Sequence, residues 1–221
     1  MDKTEEKLLV EDMKKILEAE ADAVKALPVD MNYVKAVEMI LDHVHHKGGK
    51  LVTSGMGKAG QIAMNIATTF CSTGTPAVFL HPSEAQHGDL GILQRNDIFL
   101  LISNSGKTRE ILELIDLAKE MDLTVPFIVI TGDKNSPLAK SADVTLFTGN
   151  PSEVCPLGLT PTTSTTMMTV IGDLLVVSVM KKIDFTVADY AKRHHGGYLG
   201  HKSKCFAYGV RPDYNAHVDL E

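Results

Sequence analysis

The chain has 221 residues, of which 44% are hydrophobic and 23% charged, and its formal net charge is −6. These are the proportions of a soluble globule built as one large domain with extensions. A negative balance without a Lys/Arg run argues against nucleic acid or an anionic membrane as the main partner, so any anionic ligand has to be held by a few placed donors.

The amino-terminal segment is charged and amphipathic and has no apolar core of a secretory signal, which points to a cytoplasmic protein. Leu9, Met13, Ile16, Leu17, Ala21 and Val24 predict a helix over 4–26. After the break at Pro28, Val34, Val37, Ile40, Leu41 and Val44 predict a second over 30–46. Five short β-rich runs follow, at 50–55, 76–80, 97–103, 126–131 and 143–147, each bounded by Gly, Pro, Asn or Asp. Helical patterns lie between them, with Ile62, Ile66 and Phe70 over 58–72 and Ile111, Leu114, Ile115 and Ala118 over 109–121. The apolar stretch from Met167 to Met180 is interrupted by Thr169, Gly172, Asp173 and Ser178 and is shorter than the ~20 residues of a membrane span, so it reads as a central buried helix.

Alternation of this kind implies an α/β fold: a five-stranded parallel sheet flanked by helices on both faces, flavodoxin-like, after an N-terminal helical extension. The expected division is a helix over 1–29, the sheet domain over 30–200 and a tail without clear periodicity over 201–221. In such a fold ligands bind at the carboxyl ends of the strands, so the loops after the strands carry the search for function.

The first of these loops, Ser54–Gly60, reads S-G-M-G-K-A-G. Its glycines let backbone N–H groups approach an anion, but G-x-G-x-x-G alone is weak, no acidic residue closes the second strand, and the P-loop spacing is absent. Lys58 is a cation at a helix start, a cost that an anionic ligand would offset. Ser103–Thr108, S-N-S-G-K-T, groups three hydroxyls and a glycine before a helix, and suits a phosphate ester better than the single cap a helix needs. For the hydroxyls of 161–166, P-T-T-S-T-T, helix capping and ligand binding both stand.

The loop 81–91, H-P-S-E-A-Q-H-G-D-L-G, packs His81, Glu84, His87 and Asp89 where a fold needs only a turn. Glu110 falls in a first helical turn, where the dipole alone favours a carboxylate. Cys71, Cys155 and Cys205 are far apart and form no CxxC, so neither a disulfide framework nor a zinc site is indicated, and Cys155 reads as a packed small side chain. His43 and His46 share a helix face, but no carboxylate or cysteine pattern completes a metal site.

Taken in order, SGMGKAG, HPSEAQHGDLG, SNSGKTREI, EVCPLGLTPTTSTT and HHGGYLG resemble the sugar isomerase (SIS) domain family, and within it the arabinose-5-phosphate isomerases of Kdo and capsule biosynthesis. The resemblance spans about residues 30–200. Members of that group typically carry a pair of CBS domains after the isomerase domain, and this chain reads as a short form without them. The resemblance implies an isomerase interconverting D-ribulose 5-phosphate and D-arabinose 5-phosphate for lipopolysaccharide or capsule, by acid/base enediol chemistry. Such isomerisation can proceed without a metal, so no cofactor is expected.

It also implies the site. Lys58, His87, Glu110, Glu153 and His194 match the catalytic set, with Ser54, Gly55, Ser103, Asn104, Ser105, Thr108, Thr163 and Ser164 binding substrate. The family's S-H-P-G-G segment reads R-H-H-G-G here, with Arg193 for the serine and His195 for the proline. His194 keeps the spacing to Gly196 and Gly197 and is read as the principal base, with His87 assisting. Active sites shared across a homotetramer, or at least a dimer, are a further implication. The alternatives are a SIS isomerase acting on a hexulose 6-phosphate or sedoheptulose 7-phosphate, or a phosphosugar-binding regulatory module without turnover. The full Lys, His and Glu set and the lack of a basic DNA-binding segment weigh against the regulator.

Overall fold

A computed structural model describes residues 1–121 and 123–209. Five parallel strands, β1 (Leu51–Gly55), β2 (Ala77–Phe79), β3 (Ile98–Ile102), β4 (Phe127–Thr131) and β5 (Val144–Phe147), form one sheet in the order β2-β1-β3-β4-β5. Side chains alternate across it: Leu51, Ile98, Leu100, Ile102, Ile128 and Ile130 enter one core, and Val52, Phe99, Leu101, Phe127 and Val129 the other. Fully burying one such side chain contributes about 1.5–3 kcal/mol, so a one-residue register slip, which would exchange the faces, is strongly opposed.

Helices cover both faces, as the alternation of strand and helix requires. The first core is closed by α2 (Met31–Ile40), α3 (Gly57–Ser72) and α7 (Thr163–Lys182); α4 (Pro82–Ala85), α5 (Arg109–Glu120) and α6 (Pro137–Lys140) close the second. Gly60 lets α3 approach β1, since a Cβ there would lie 2.5 Å from the Gly55 carbonyl oxygen.

The predicted helix over 30–46 runs as α2 only to Ile40 and continues as a π-helical turn, Leu41–His46. In that turn the His43 Nδ1 lies 3.1 Å from the Asn96 carbonyl and the His45 Nε2 3.0 Å from the Thr75 hydroxyl. The apolar stretch read as Met167–Met180 is the inner part of a 20-residue helix, long and apolar enough by composition to cross a membrane. Met167, Met168, Ile171, Leu175, Val176 and Val179 instead bury it in the core.

Three helices stand apart from the sheet. The amino-terminal helix α1 (Lys3–Lys25), opened by an Asp2/Glu5 capping box, buries none of its residues and touches the domain near its end, where Thr163 donates to Glu20 at 3.1 Å. Beyond α7, α8 (Val187–Ala191) and α9 (Gly197–Tyr208) pack on each other, and α9 runs across the 200/201 division drawn from the sequence. The rest of that tail, 210–221, lies outside the described residues.

Candidate active site

The strand order reverses between β1 and β3, and at their carboxyl ends lies a cleft of about 560 Å³. Three long helices begin at its walls, contributing Lys58 and Ala59 from α3, Thr108 at the start of α5, and Ser164 and Thr165 from α7. Each helix start presents unpaired N–H groups and the positive end of a macrodipole.

The α7 start is already occupied by a side chain. Oε2 of Glu153 accepts the N–H of Thr162 at 2.7 Å, its hydroxyl at 2.9 Å and the N–H of Ser164 at 3.3 Å. Burial would push the Glu153 carboxyl up, but the donors of Ser164 and Thr162 outweigh it and hold the group below the ordinary glutamate range. Glu153 is thus an ionised cap fixing the loop after β5 to α7.

The starts of α3 and α5 receive no side-chain cap. Before α5, Ser103 Oγ lies 2.7 Å from Thr108 Oγ1 and accepts the Gly106 N–H at 3.1 Å, while Ser105 accepts the Lys107 N–H at 3.2 Å. Gly106 turns with φ 61°, a conformation open to glycine, and its missing Cβ leaves room for Ser136. The result is a hydroxyl-lined turn facing two uncapped helix starts and Lys58, an arrangement that can hold an anion.

Of the sequence-proposed residues, the cleft brings together Lys58, Ser103, Asn104, Ser105, Thr108, Glu153 and Ser164. Ser54 does not join them. It is fully buried in β1 and its hydroxyl donates to the Leu80 carbonyl at 2.6 Å, because a buried strand hydroxyl has to find a partner. Gly55 ends β1 just outside the lining, and Thr163 turns its hydroxyl to Glu20 of α1. Glu110, the second residue of α5, is half-buried off the cleft.

Neither His87 nor His194 lines this chain's cleft. His87 is exposed in the turn after α4, in a loop anchored by buried Pro82, Ala85 and Leu93 and tied to α5 by Gln86 donating to Glu113 at 2.9 Å. His194 lies at the other pole. From the cleft, the 20 residues of α7 span about 30 Å, and the following segment packs Phe185 and Arg193 against Gly74, at the entry to β2.

Sequence reasoning missed Asn150 and Ser152, which also line the cleft, as does Thr165 of the hydroxyl run 161–166. The signal for the first two was their place directly after β5, with Asn150 in a left-handed turn at φ 51°. Cys155 also differs from the packed side chain expected. Its Sγ accepts the N–H groups of Thr160 at 3.1 Å and Leu159 at 3.2 Å, and these pull the thiol down to about 7. The donors come from four and five residues downstream, through a loop closure that local sequence does not show.

Comparison with known proteins gives the same architecture a lineage. Residues 44–178 match the SIS domain. The chain is 45% identical over 174 residues to the arabinose 5-phosphate isomerase KdsD of Francisella tularensis, covering 79% of this chain and 52% of that protein. It is 51% identical over 154 residues to KdsD of Escherichia coli K12, covering 70% and 46%. The chain thus spans about half the length of the curated relatives it matches.

Among solved structures, a Bacteroides fragilis NCTC 9343 protein assigned as a phosphosugar isomerase involved in capsule formation superposes with a TM-score of 0.85 at 67% identity, covering 86% of this chain and 99% of that one. An E. coli CFT073 protein in complex with arabinose 5-phosphate does so with a TM-score of 0.78 at 36% identity, covering 88% and 100%. A switch-point cleft at uncapped helix starts, a match over most of the sheet domain and these superpositions agree, and the chain belongs to the SIS domain family.

Proposed function

We propose that the protein is a ketol isomerase interconverting D-ribulose 5-phosphate and D-arabinose 5-phosphate, the product feeding Kdo synthesis for lipopolysaccharide or capsule. The observation that carries the reading is the cleft at the β1/β3 switch, where Lys58 and the Ser103–Thr108 turn face two uncapped helix starts opposite the anchored Glu153. The relatives named arabinose 5-phosphate isomerase, and the neighbour bound to arabinose 5-phosphate, point to the same pentose.

The phosphodianion sits on Ser105, Thr108 and the α5 N–H groups, with Ser103, Asn104 and Ser164 along the cleft wall. A base removes the C2 proton of the open aldose, and its electron pair forms the C1–C2 double bond of an enediolate with charge on O1. O1 is protonated, O2 gives up its proton to become the carbonyl, and a proton is returned to C1. Lys58 stabilises the enediolate charge. His194 serves as the C2 base, His87 moves protons on oxygen, and Glu153 orients the wall. Glu110 acts from the first turn of α5. The chemistry needs no metal.

The two poles occupied by His87 and His194 support a homo-oligomer, a tetramer or at least a dimer, in which neighbours complete each cleft. The exposed apolar side chains of α1, among them Leu8, Met13, Ile16 and Leu17, supply surface for it. The charged amphipathic α1 supports a cytoplasmic location.

The test is a coupled assay of purified protein on ribulose 5-phosphate, fructose 6-phosphate and sedoheptulose 7-phosphate. Aldose production from ribulose 5-phosphate at a kcat/KM far above the other two is the expected result. A preference for a longer ketose would transfer the reading to another SIS isomerase, and binding without turnover would make the chain a sensor.

A further inference from the structure

We infer that Tyr190 is a positioning residue for His194, holding its imidazole as a single tautomer with Nε2 as the proton acceptor. This inference rests on the isomerase reading above, in which His194 is the base.

The Tyr190 carbonyl is the focus of the segment. It accepts the N–H groups of Arg193 at 3.0 Å and His194 at 3.1 Å, and the His194 Nδ1 lies 3.0 Å from it. A carbonyl only accepts, so Nδ1 carries the proton and the lone pair of the neutral ring lies on Nε2. The Tyr190 ring lies parallel to the imidazole, with centroids 3.6 Å apart and planes 8° from each other. One nitrogen and one face of His194 are thereby occupied, and rotation about Cβ–Cγ is blocked.

Tyr190 is itself held. Thr186 and Asp189 form a capping box on α8, Arg193 Nη1 donates to the Asp189 carbonyl at 2.9 Å, and its guanidinium lies 5.3 Å over Phe185. The tyrosine ring also borders an apolar groove with Met180, Leu199 and Phe206. Adjacent His195 is exposed and makes no side-chain hydrogen bond among the described residues, so the two neighbouring histidines are unequal: one is oriented for proton transfer and the other is not. The Tyr190 hydroxyl has no hydrogen-bond partner among the described residues, so the role belongs to the ring and its carbonyl, and phenylalanine can fill it.

The experiment compares Tyr190→Phe, Tyr190→Leu and Tyr190→Ala in the full chain. Nitrogen-15 NMR of the His194 ring reports the tautomer, and steady-state kinetics on ribulose 5-phosphate separate kcat from KM. Misplacing a reacting group on the order of 1 Å costs about 10²-fold, so Leu and Ala should each lose roughly 10- to 100-fold in kcat with KM within about two-fold. Their ring signals should average between tautomers, and Phe should restore both readouts. Leu fills the groove without an aromatic face, so its loss is not a folding defect if circular dichroism is unchanged. A single Nδ1–H tautomer and wild-type kcat in Tyr190→Leu would overturn the inference. Absence of turnover in the parent protein would refute the isomerase reading instead, and the NMR readout would still decide the positioning.

Discussion

At Glu153 one carboxylate oxygen accepts three donors from the start of α7, so this side chain acts first through geometry. Its pKa is lowered on folding, so it contributes stability that is fully present above the ordinary glutamate value of 4.5 and is lost as pH falls through the depressed folded value. Glu153→Ala should lower stability by about 1–3 kcal/mol at pH 7, with the difference from the parent narrowing below pH 4.5. Urea unfolding at several pH values measures this, and a gap that widened in acid would refute the cap. Under the proposed function Ser105 is a ground-state phosphate donor, so Ser105→Ala should mainly raise KM; a fall in kcat with unchanged inhibition by inorganic phosphate would count against the assignment. Cys155 should alkylate with a pH–rate midpoint near 7, displaced from the ordinary thiol value of 9 by the loop's N–H groups. A midpoint near 9 in iodoacetamide kinetics would mean the loop does not close on the sulfur.

Among the elements, the turn Ser103–Thr108 and the loop 81–91 show how differently local chemistry is expressed. The first was legible because hydroxyls and glycine before a helix have few alternative uses, and the fold places Ser103, Asn104, Ser105 and Thr108 at the cleft. Gly106→Ala would force a side chain into a left-handed turn and against Ser136. It should cost about 1–3 kcal/mol, which for a domain of this size lowers the Tm by roughly 2–12 °C, together with a rise in KM. Scanning calorimetry with phosphate titration checks both, and an unchanged Tm would show that the turn relaxes freely. The loop 81–91 carried as strong a chemical signal, yet His87 is exposed and does not line the cleft of its own chain. Ser54 failed for a different reason: the sequence places a hydroxyl at a strand end, but cannot say that the Leu80 carbonyl takes it.

Across the molecule, His87 follows the carboxyl end of β2 while His194 lies beyond the far end of α7, so one cleft can use both only by drawing them from different chains. Mixing His87→Ala with His194→Ala subunits should therefore recover activity that neither has alone, measured after refolding the two together. No recovery in mixed oligomers would exclude a site split in this way. The apolar surface of α1 belongs to the same argument. Pairing Met13→Glu with Leu17→Glu, at positions 57% and 69% exposed, should reduce the oligomer mass by light scattering without loss of helical signal. An unchanged mass would remove α1 from the interface.

Residue order alone was enough for the sheet, because strand runs and amphipathic helices obey periods set by backbone geometry, and for singling out the hydroxyl-rich turn Ser103–Thr108, because its residues are contiguous. It took the folded chain to establish which hydroxyls reach the cleft, that Glu153 is spent as a cap, that Cys155 gathers N–H donors, and that the two histidines lie at opposite poles. Each of these depends on where a neighbour distant in the chain, or one across a closed loop, comes to rest. Burial and hydrogen-bond partnership are properties of that arrangement, and no local spacing encodes them.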